Sequence, residues 1–525
     1  MENITASALP EAGGLLSSSF PQHWPAAAAS VVFVTIVLLA QYLFKIDHLA
    51  NVPFVGEGGE AARRQQFATG KATELYKEGY RKFKNGIFRV TTARKTSSVA
   101  VSPIFLDELR KLPDDVISFN ASIKETMQAD YTMLDVESKD VVHAVRSKLT
   151  PALPRITAAV ADEVEAAVRD GMPSVNEWTE VNINSKLLKV VAKASGRVFI
   201  GSEHCRNEDY IDFAVNYTLE LMKAVRAVGA IPWWKRPMTA RSIPEVKQLK
   251  SRIDQADAFL RPIVSARRAA ESSMDYQKPE DMLQWIMDAG IDGKDEQHLA
   301  KAQLDISFAA IHTTTTTATN AFYWLAAMPE IMPMLREDIQ NALFESGGAW
   351  TSLALQNMKK LDSFLKEVLR CSPLGAASFE RKVLKDFTLS NGQIIPAGTI
   401  IEVPLVGIVS DENIWEKPEE FDALRHYKLR QQKDTASSKT KAAEMVASAQ
   451  FVGVGQTSLQ FGYGRHACPG RFFAAHEIKM IMATFVMHYD VKMPGDLKER
   501  YPNLLMGGSS VPDPTKNIMV RKAQV

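Results

Sequence analysis

The sequence predicts a mainly α-helical protein with a small β part, preceded by one transmembrane helix. Three observations lead to this fold class. Apolar residues recur with helical spacing along most of the chain, short strand-like runs cluster late, and a long uncharged apolar run lies near the amino terminus. The chain has 525 residues, with 62 Lys and Arg against 61 Asp and Glu, which gives a formal net charge of +1. This balance argues against a nucleic-acid-binding protein, which would need a basic surplus.

The apolar run extends from Trp24 to Phe44 and contains no charged residue. In an α-helix it would span about 30 Å, the thickness of the hydrocarbon core of a bilayer. A cleaved signal peptide would have basic residues before a shorter run, whereas the only charged residues that precede this one are Glu2 and Glu11. A buried core helix would be unusual so near a terminus. We therefore expect an uncleaved membrane anchor.

Basic residues follow this run at Lys45, Arg63 and Arg64, and positive charge marks the cytosolic side of a span. The bulk of the chain is therefore expected in the cytosol. The predicted organisation is a lumenal amino terminus over 1–23, a transmembrane anchor over 24–44, a linker over 45–70 and one cytosolic domain over 71–525.

The cytosolic part is predicted to be helical in its first two thirds and to gain a small sheet later. Ser390-Asn391-Gly392 separates two strand-like runs, 387–389 and 393–395, and Asn-Gly favours a tight hairpin turn. A further strand is predicted over 399–405. Helical periodicity predicts helices over 140–149, 207–227, 246–270, 279–289, 298–327, 330–343 and 363–370.

The densest chemical signal is the segment 461–474, FGYGRHACPGRFFA. Its glycines allow the backbone to approach a flat, bulky group, and Pro469 suits the first turn of a following helix. Cys468 is then at the positive end of a helix dipole, with Arg465, His466 and Arg471 nearby, all of which favour the thiolate. One cysteine cannot form a closed zinc site, but it can be the single protein ligand of an iron that a porphyrin also holds.

This segment also fits two other interpretations. Cys205, Cys371 and Cys468 are too few for a disulfide framework. Without the residues around it, Cys468 could be an ordinary buried cysteine. Gly462-x-Gly464-x-x-Ala467 also fits a dinucleotide-binding fingerprint, with an acid at Asp490. That fingerprint lies too close to the end of the chain for a doubly wound sheet, and no alternation of strands and helices precedes it.

The segment resembles the cysteine-ligand signature of the cytochrome P450 family, F-x-x-G-x-[R or H]-x-C-x-G. Its form is similar to that of microsomal members from filamentous fungi. The resemblance implies a cytochrome P450 fold and a haem b whose axial ligand is the Cys468 thiolate. It also implies that Phe461 and either Arg465 or His466 contact the haem, because His466 stands where an arginine usually meets a propionate. The matching positions are Phe461, Gly464, His466, Cys468 and Gly470.

Two further motifs precede the cysteine in the order that the family shows. Glu367 and Arg370 form E-x-x-R on one helix face, and Arg425, in the stretch 418–425, resembles the arginine that completes a buried triad with them. By the same resemblance, Arg146 and Arg381 are expected to contact haem propionates.

The segment 309–317, AAIHTTTTT, lies in the predicted helix 298–327. Threonine runs are poor helix formers, so this segment is expected either to be a tolerated polar face or to interrupt the helix and make room for dioxygen. By resemblance, Thr313 supplies the catalytic hydroxyl. His312 replaces the usual acid, so it is expected to assist proton delivery or to be structural.

The resemblance implies a monooxygenase of the endoplasmic reticulum membrane that oxidises a lipophilic small molecule with O2. It also implies that the substrate pocket is lined by the segments 117–122, 216–225, 308–313, 374–379 and 505–509, which are apolar or small. The fingerprint over 462–467 is excluded by its position, and the sequence shows no P-loop. Electrons from NADPH are therefore expected through a separate reductase. The fungal form of the loop points to secondary-metabolite biosynthesis of the terpenoid, polyketide or alkaloid type. Two alternatives stay open: a haem-thiolate isomerase or dehydratase that needs no reductase, and a non-catalytic haem sensor.

Overall fold

A computed structural model describes residues 24–43, 47–94, 97–289, 296–432 and 439–524 of the chain. The chain divides into two compact units, the first ending at Asn51 and the second running from Val52 to Val525. The predicted lumenal segment 1–23 and Phe44 of the predicted anchor lie outside the described residues.

The first unit contains helix α1 (Trp24–Leu43), which coincides with most of the predicted anchor. Its side chains are described over 27–37 and are largely exposed, with Phe33 at 67%. Among the residues that the structure describes, no helix is both long enough and apolar enough to cross a membrane. The anchor therefore stays a prediction from the sequence.

The second unit is mainly helical, as predicted. Within the stretch predicted as a linker, a short helix begins at Glu60, and Val52 and Val55 are buried. The helices are α2 (Glu60–Gln66), α3 (Ala72–Lys82), α4 (Leu106–Leu109), α5 (Phe119–Thr126), α6 (Ala129–Thr132), α7 (Lys139–Ala144), α8 (Thr150–Gly171), α9 (Ile183–Phe199), α10 (Glu208–Ala230), α11 (Arg236–Thr239), α12 (Pro244–Ala270), α13 (Met282–Asp288), α14 (Glu296–Ala327), α15 (Met332–Glu345), α16 (Ser352–Asn357), α17 (Lys359–Cys371), α18 (Leu405–Val409), α19 (Arg425–Gln431), α20 (Lys439–Ser448) and α21 (Arg471–His488).

Within the described residues, the β part is small and divided among four sheets. The strands are β1 (Ile87–Val90), β2 (Ser98–Val101), β3 (Ile117–Ser118), β4 (Thr179–Val181), β5 (Ser378–Val383), β6 (Phe387–Thr388), β7 (Ile394–Ile395), β8 (Ile400–Val403), β9 (Tyr489–Lys492), β10 (Asn503–Met506), β11 (Ser509–Pro512) and β12 (Ile518–Lys522). The largest sheet has the order β1-β2-β8-β5-β3, in which only β2 and β8 are parallel. A second sheet has the order β4-β12-β9, and β6-β7 and β10-β11 are hairpins.

The hairpin predicted from Asn391-Gly392 is confirmed. Strands β6 and β7 pair antiparallel, and Gly392 has a φ of 86°, which glycine adopts without strain. Helices α8 and α9, in contrast, were not predicted. Asn182 was a local signal for α9, because its side chain caps the helix by accepting a hydrogen bond from the Ser185 N–H.

Helices α14 and α21 form the centre of the second unit and position the site. Helix α14 has 32 residues and packs against α9, α10 and α12, and α21 packs against α8. The fully buried rings of Phe322 and Phe485 join the two helices, edge to face, with centroids 4.6 Å apart. The two helices therefore share one apolar core.

Candidate active site

The loop around Cys468 is tightly closed on itself. The Cys468 N–H donates to the Phe461 carbonyl oxygen over 2.7 Å, and Gly462 and Gly464 have φ values of 73° and 69°. A Cβ atom on Gly462 would lie 3.3 Å from the His466 carbonyl oxygen, so a side chain there would strain the loop. Helix α21 begins at Arg471, which places Cys468 just before its amino terminus, as Pro469 predicted.

Two opposed effects act on the pKa of Cys468. Burial raises the pKa of the Cys468 thiol, although the backbone N–H groups of Gly470 and Arg471 and the Arg471 guanidinium lower it. The helix start and the nearby positive charge act in the predicted direction, but desolvation outweighs them in the protein alone. A metal ion coordinated by the sulfur would favour the thiolate further.

Arg465 and His466 both contact one carboxylate. The Arg465 Nη2 and the His466 Nε2 lie 2.9 Å and 3.0 Å from Asp114 Oδ1. The His466 ring also packs on Phe119, with centroids 5.6 Å apart, and burial lowers the pKa of the imidazole. The structure thus brings both candidate propionate contacts to the same place.

Arg381 is the residue that best fits an anionic ligand. It is only 5% exposed, and its guanidinium lies 4.2 Å from the Phe379 ring centroid. It donates to the Glu380 carbonyl oxygen over 2.7 Å but forms no ion pair with any carboxylate of the described residues. Burial lowers its pKa to about 10, because the charged form is poorly solvated. A carboxylate brought by a ligand would compensate this charge, and Arg381 lines the same small cavity as Arg465 and His466.

Arg146 also lies at the cysteine loop. It belongs to the helical turn Val145–Leu149 and donates from Nη2 to the Arg465 carbonyl oxygen over 2.8 Å. Its present partner is therefore the loop backbone, at an exposed position.

Helix α14 continues through the threonine run without interruption, which agrees with the first of the two alternatives, a tolerated polar face. The hydroxyl groups bond back within the helix, for example from Thr313 Oγ1 to the Ala309 carbonyl oxygen over 2.7 Å and from Thr315 Oγ1 to that of Ile311 over 2.7 Å. Tertiary packing overrides the weak helix propensity of threonine here. Ala309 and Thr313 are exposed, although Ile311 and Thr315 are buried, so one face of this buried helix is free to contact a ligand.

His312 points to a neighbouring helix. Its Nε2 lies 2.8 Å from the Val215 carbonyl oxygen on α10, and burial lowers the pKa of its imidazole. The ring is therefore neutral near pH 7, with its Nε2–H donated to that carbonyl.

The predicted triad is present and buried. Glu367 is 0% exposed; its Oε2 accepts from Arg370 Nε over 2.9 Å and its Oε1 accepts from Arg425 Nε over 2.9 Å. Burial alone would raise the pKa of Glu367, but Arg370, His426 and Arg425 hold it well below its usual range. His426 was missed by the sequence analysis; it directly follows Arg425, and its Nε2 lies 3.3 Å from Glu367 Oε2.

The two arginines of this triad also bind the connection that joins α18 to α19. They donate to backbone carbonyl oxygens rather than to side chains of that connection. The acceptors are Val409, Pro418 and Glu420 for Arg370, and Glu416, Lys417 and Glu420 for Arg425.

A second buried cluster, which the sequence analysis missed, holds the segment that precedes the cysteine loop. Lys366 donates to the Gly453 carbonyl oxygen and to Ser458 Oγ, each over 2.6 Å. Lys366 is the neighbour of Glu367 on α17, so its place in the E-x-x-R helix was the available signal.

The donor set at this site fits a haem. A single cysteine lies before a helix, a buried arginine has no carboxylate partner in the described part of the chain, and α14 exposes Ala309 and Thr313. Residues Cys468, Phe461, Arg381, Arg465, His466 and Arg146 would hold it.

Comparisons with known proteins agree with this geometry. The family model for cytochrome P450 matches residues 53–519. Cytochrome P450 monooxygenase ATR3 of Stachybotrys chlorohalonatus is 37% identical over 434 residues, which cover 82% of this chain and 90% of the relative. AN1598 of Emericella nidulans is 34% identical over 94% of this chain and 91% of the relative, and braC of Annulohypoxylon truncatum is 32% identical over 97% and 100%; both are also named cytochrome P450 monooxygenases. The chain therefore belongs to the cytochrome P450 family and is an oxidoreductase.

Proposed function

We propose that this chain is a haem-thiolate monooxygenase that uses O2 and reductase-supplied electrons from NADPH to oxidise a lipophilic small molecule. We further propose that this molecule is an intermediate of secondary-metabolite biosynthesis, of the terpenoid, polyketide or alkaloid type. The observation that carries the proposal is that the buried Arg381, which has no carboxylate partner in the described structure, lines one cavity with Arg465 and His466 of the loop that holds Cys468 before α21.

Membership of the family implies a haem with a cysteine thiolate ligand and electrons from a redox partner. When bound, the haem supplies the chemistry of dioxygen activation, and a thiolate ligand donates electron density that favours O–O cleavage. The protein's part is to present the Cys468 sulfur and to compensate the propionate charges with Arg381 and with Arg465 or His466.

Thr313 is the residue best placed to hold a proton on the distal side. Its hydroxyl donates to the Ala309 carbonyl oxygen, and it can instead donate to a ligand by rotation about χ1 while the helix stays intact. Ala309 and Ala310 are small, so they leave space beside this hydroxyl.

Two segments predicted to line the substrate pocket come together in the structure. The Ala376 N–H donates to the Gly508 carbonyl oxygen over 2.7 Å, which joins the segment 374–379 to the tip of the β10–β11 hairpin. The hairpin carries exposed apolar side chains at Leu504, Leu505 and Met506. These contacts support a lipophilic substrate, since apolar walls bury apolar ligands.

The test of the haem site is the absorption spectrum of the reduced carbon monoxide complex. We expect a red-shifted Soret band in the purified full chain, its loss in Cys468→Ser, and its retention in the control Cys205→Ser. Cys205 is fully buried against Gly196 of α9. Absence of the band from the wild type would overturn the proposal.

The test of the reaction uses the haem-loaded protein with a reductase, NADPH and fungal metabolite extracts, analysed by mass spectrometry. Products that gain one oxygen atom only when NADPH is present support a monooxygenase. Turnover without NADPH would establish an isomerase or dehydratase instead, and a haem protein without any turnover would favour a sensor.

The proposed location is the endoplasmic reticulum membrane, with a single amino-terminal anchor and a cytosolic catalytic domain. The uncharged run from Trp24 to Phe44 supports an anchor, and exposed Trp233 and Trp234, at 61% and 55%, support a further contact with the membrane interface. Fractionation of cells that express the full chain tests this proposal: the protein should stay in the microsomal pellet after alkaline carbonate washing, and its release into the supernatant would contradict an anchor.

A further inference from the structure

Two side-chain hydrogen bonds join helix α10 to helix α14. His312 Nε2 lies 2.8 Å from the Val215 carbonyl oxygen, and Tyr217 Oη donates to Asp305 Oδ1 over 3.3 Å. The two contributing positions on α14 are seven residues, or about 10 Å, apart along the helix. The two helices also pack against each other, and the two hydrogen bonds attach α10 at two points.

The first contact fixes the state of the imidazole. A carbonyl oxygen can only accept, so His312 Nε2 must carry the proton and donate it. The acceptor belongs to the helical backbone of α10, and His312 is half-buried between the two helices. The nitrogen that faces α10 is thus engaged in holding that helix.

The second contact has a similar character. Tyr217 is 1% exposed, and burial keeps the pKa of its phenol well above the usual value, so the hydroxyl stays a donor. Asp305 lies on α14, two turns before His312. The pair therefore fixes the same two helices at a second level.

The two hydrogen bonds lie beside residues that we expect to border the ligand-binding space. The next residue after His312 is Thr313, on the exposed face of α14, and α10 carries the segment 216–225 predicted to line the pocket. A shift of α10 away from α14 would widen the space next to Thr313. Any group that holds α10 in place therefore also limits the passage of ligands.

We propose that His312 is a positioning residue: its imidazole holds α10 against α14 and so sets how readily ligands enter and leave the space beside Thr313, with Tyr217 and Asp305 as a second attachment. The proposal rests on the proposed function only in taking the space beside Thr313 as the distal side of the haem. In this role His312 acts through the position of α10, and it carries no proton to a ligand.

The experiment compares haem-loaded wild type with His312→Leu, which removes the donor, and His312→Gln, whose side-chain amide can still donate to the Val215 carbonyl oxygen. Thr315→Val is the matched control, because the Thr315 hydroxyl bonds only within α14, to the Ile311 carbonyl oxygen. Two measurements are made: hydrogen–deuterium exchange of the backbone amides of residues 213–220, and the rate at which phenylimidazole dissociates from the ferric haem, followed by the Soret shift.

We expect His312→Leu to increase both the exchange of α10 amides and the dissociation rate about fivefold or more, the effect of losing one net hydrogen bond. His312→Gln and Thr315→Val should remain within about twofold of the wild type by the same reasoning. Tyr217→Phe should raise α10 exchange as well, since it removes the second attachment.

The outcomes separate this inference from the proposed function. Loss of the Soret band of the carbon monoxide complex in the wild type would mean that the proposed function fails. A normal band with unchanged α10 exchange in His312→Leu would overturn the inference, and a fall in product per NADPH in that variant would then assign His312 to proton delivery. Failure of His312→Gln to restore wild-type rates would also overturn it. If His312→Leu does not fold, His312→Asn, whose shorter amide cannot reach Val215, takes its place.

Discussion

Replacing Glu367 by glutamine tests whether one buried carboxylate holds the triad together. Glu367→Gln preserves the shape of the side chain but removes the charge that faces Arg370 and Arg425, whose side chains are 3% and 11% exposed. Breaking a buried ion pair from one side costs about 3–5 kcal/mol, because the remaining charge stays buried without compensation. The amide also presents a donor where the Arg425 Nε–H or the Asp422 N–H needs an acceptor, which adds to this cost.

The assay is urea unfolding of the haem-loaded protein, followed by tryptophan fluorescence and, in parallel, by the Soret band. Glu420→Gln is the matched control: it makes the same chemical change in the neighbouring loop, but the Lys417–Glu420 pair is 67% and 65% exposed. A pair of this kind contributes about 0–1 kcal/mol. The reasoning would be refuted if Glu367→Gln lowered the free energy of unfolding by less than about 1 kcal/mol, or if Glu420→Gln lowered it as much.

Two further predictions concern buried charges. Arg381→Leu should weaken haem retention about tenfold or more, measured by transfer to apomyoglobin, because it would remove the charge-assisted hydrogen bond that we propose between Arg381 and a propionate. The haem-free protein should become more stable to urea, and tighter haem retention would contradict the role of Arg381. Burial, with Asp135 nearby, raises the pKa of Asp305 from 3.8 to about 7, so its contribution to stability is complete below about pH 4 and is lost as the pH rises through 7. Asp305→Asn should remove that part of the pH dependence of unfolding, and an unchanged pH profile would contradict it.

The parts of the site that could be predicted are those whose residues lie close together in the sequence. Cys468 lies in a loop with fixed glycine and proline positions, and Glu367 and Arg370 are one helical turn apart, so local geometry relates each pattern to a structure. Asp114 could not be found in this way. It meets Arg465 and His466 across about 350 residues, and nothing in its own neighbourhood marks it as their partner.

The difference between local and long-range contacts also explains which parts of the fold could be predicted. The Asn391-Gly392 hairpin depends on four to six residues and was predicted correctly. Threonine propensity left an interruption of α14 open as one of two alternatives, but the helix is continuous, because hydrogen bonds within the helix and packing on α9, α10 and α12 decide its course. The contact between His312 and Val215 joins residues 97 positions apart and needed the structure.

The way in which Arg370 and Arg425 bind their loop has a consequence for sequence variation. Their acceptors between Val409 and Glu420 are main-chain oxygens, which every residue type supplies, and the side chains of Glu412, Glu416 and Glu419 are exposed. A saturation mutagenesis of this loop should therefore find it permissive at those exposed positions and intolerant at the two arginines. Because Glu367 fixes the two arginines, the exposed side chains of this loop can vary freely in sequence, including in charge, while the course of its backbone stays the same.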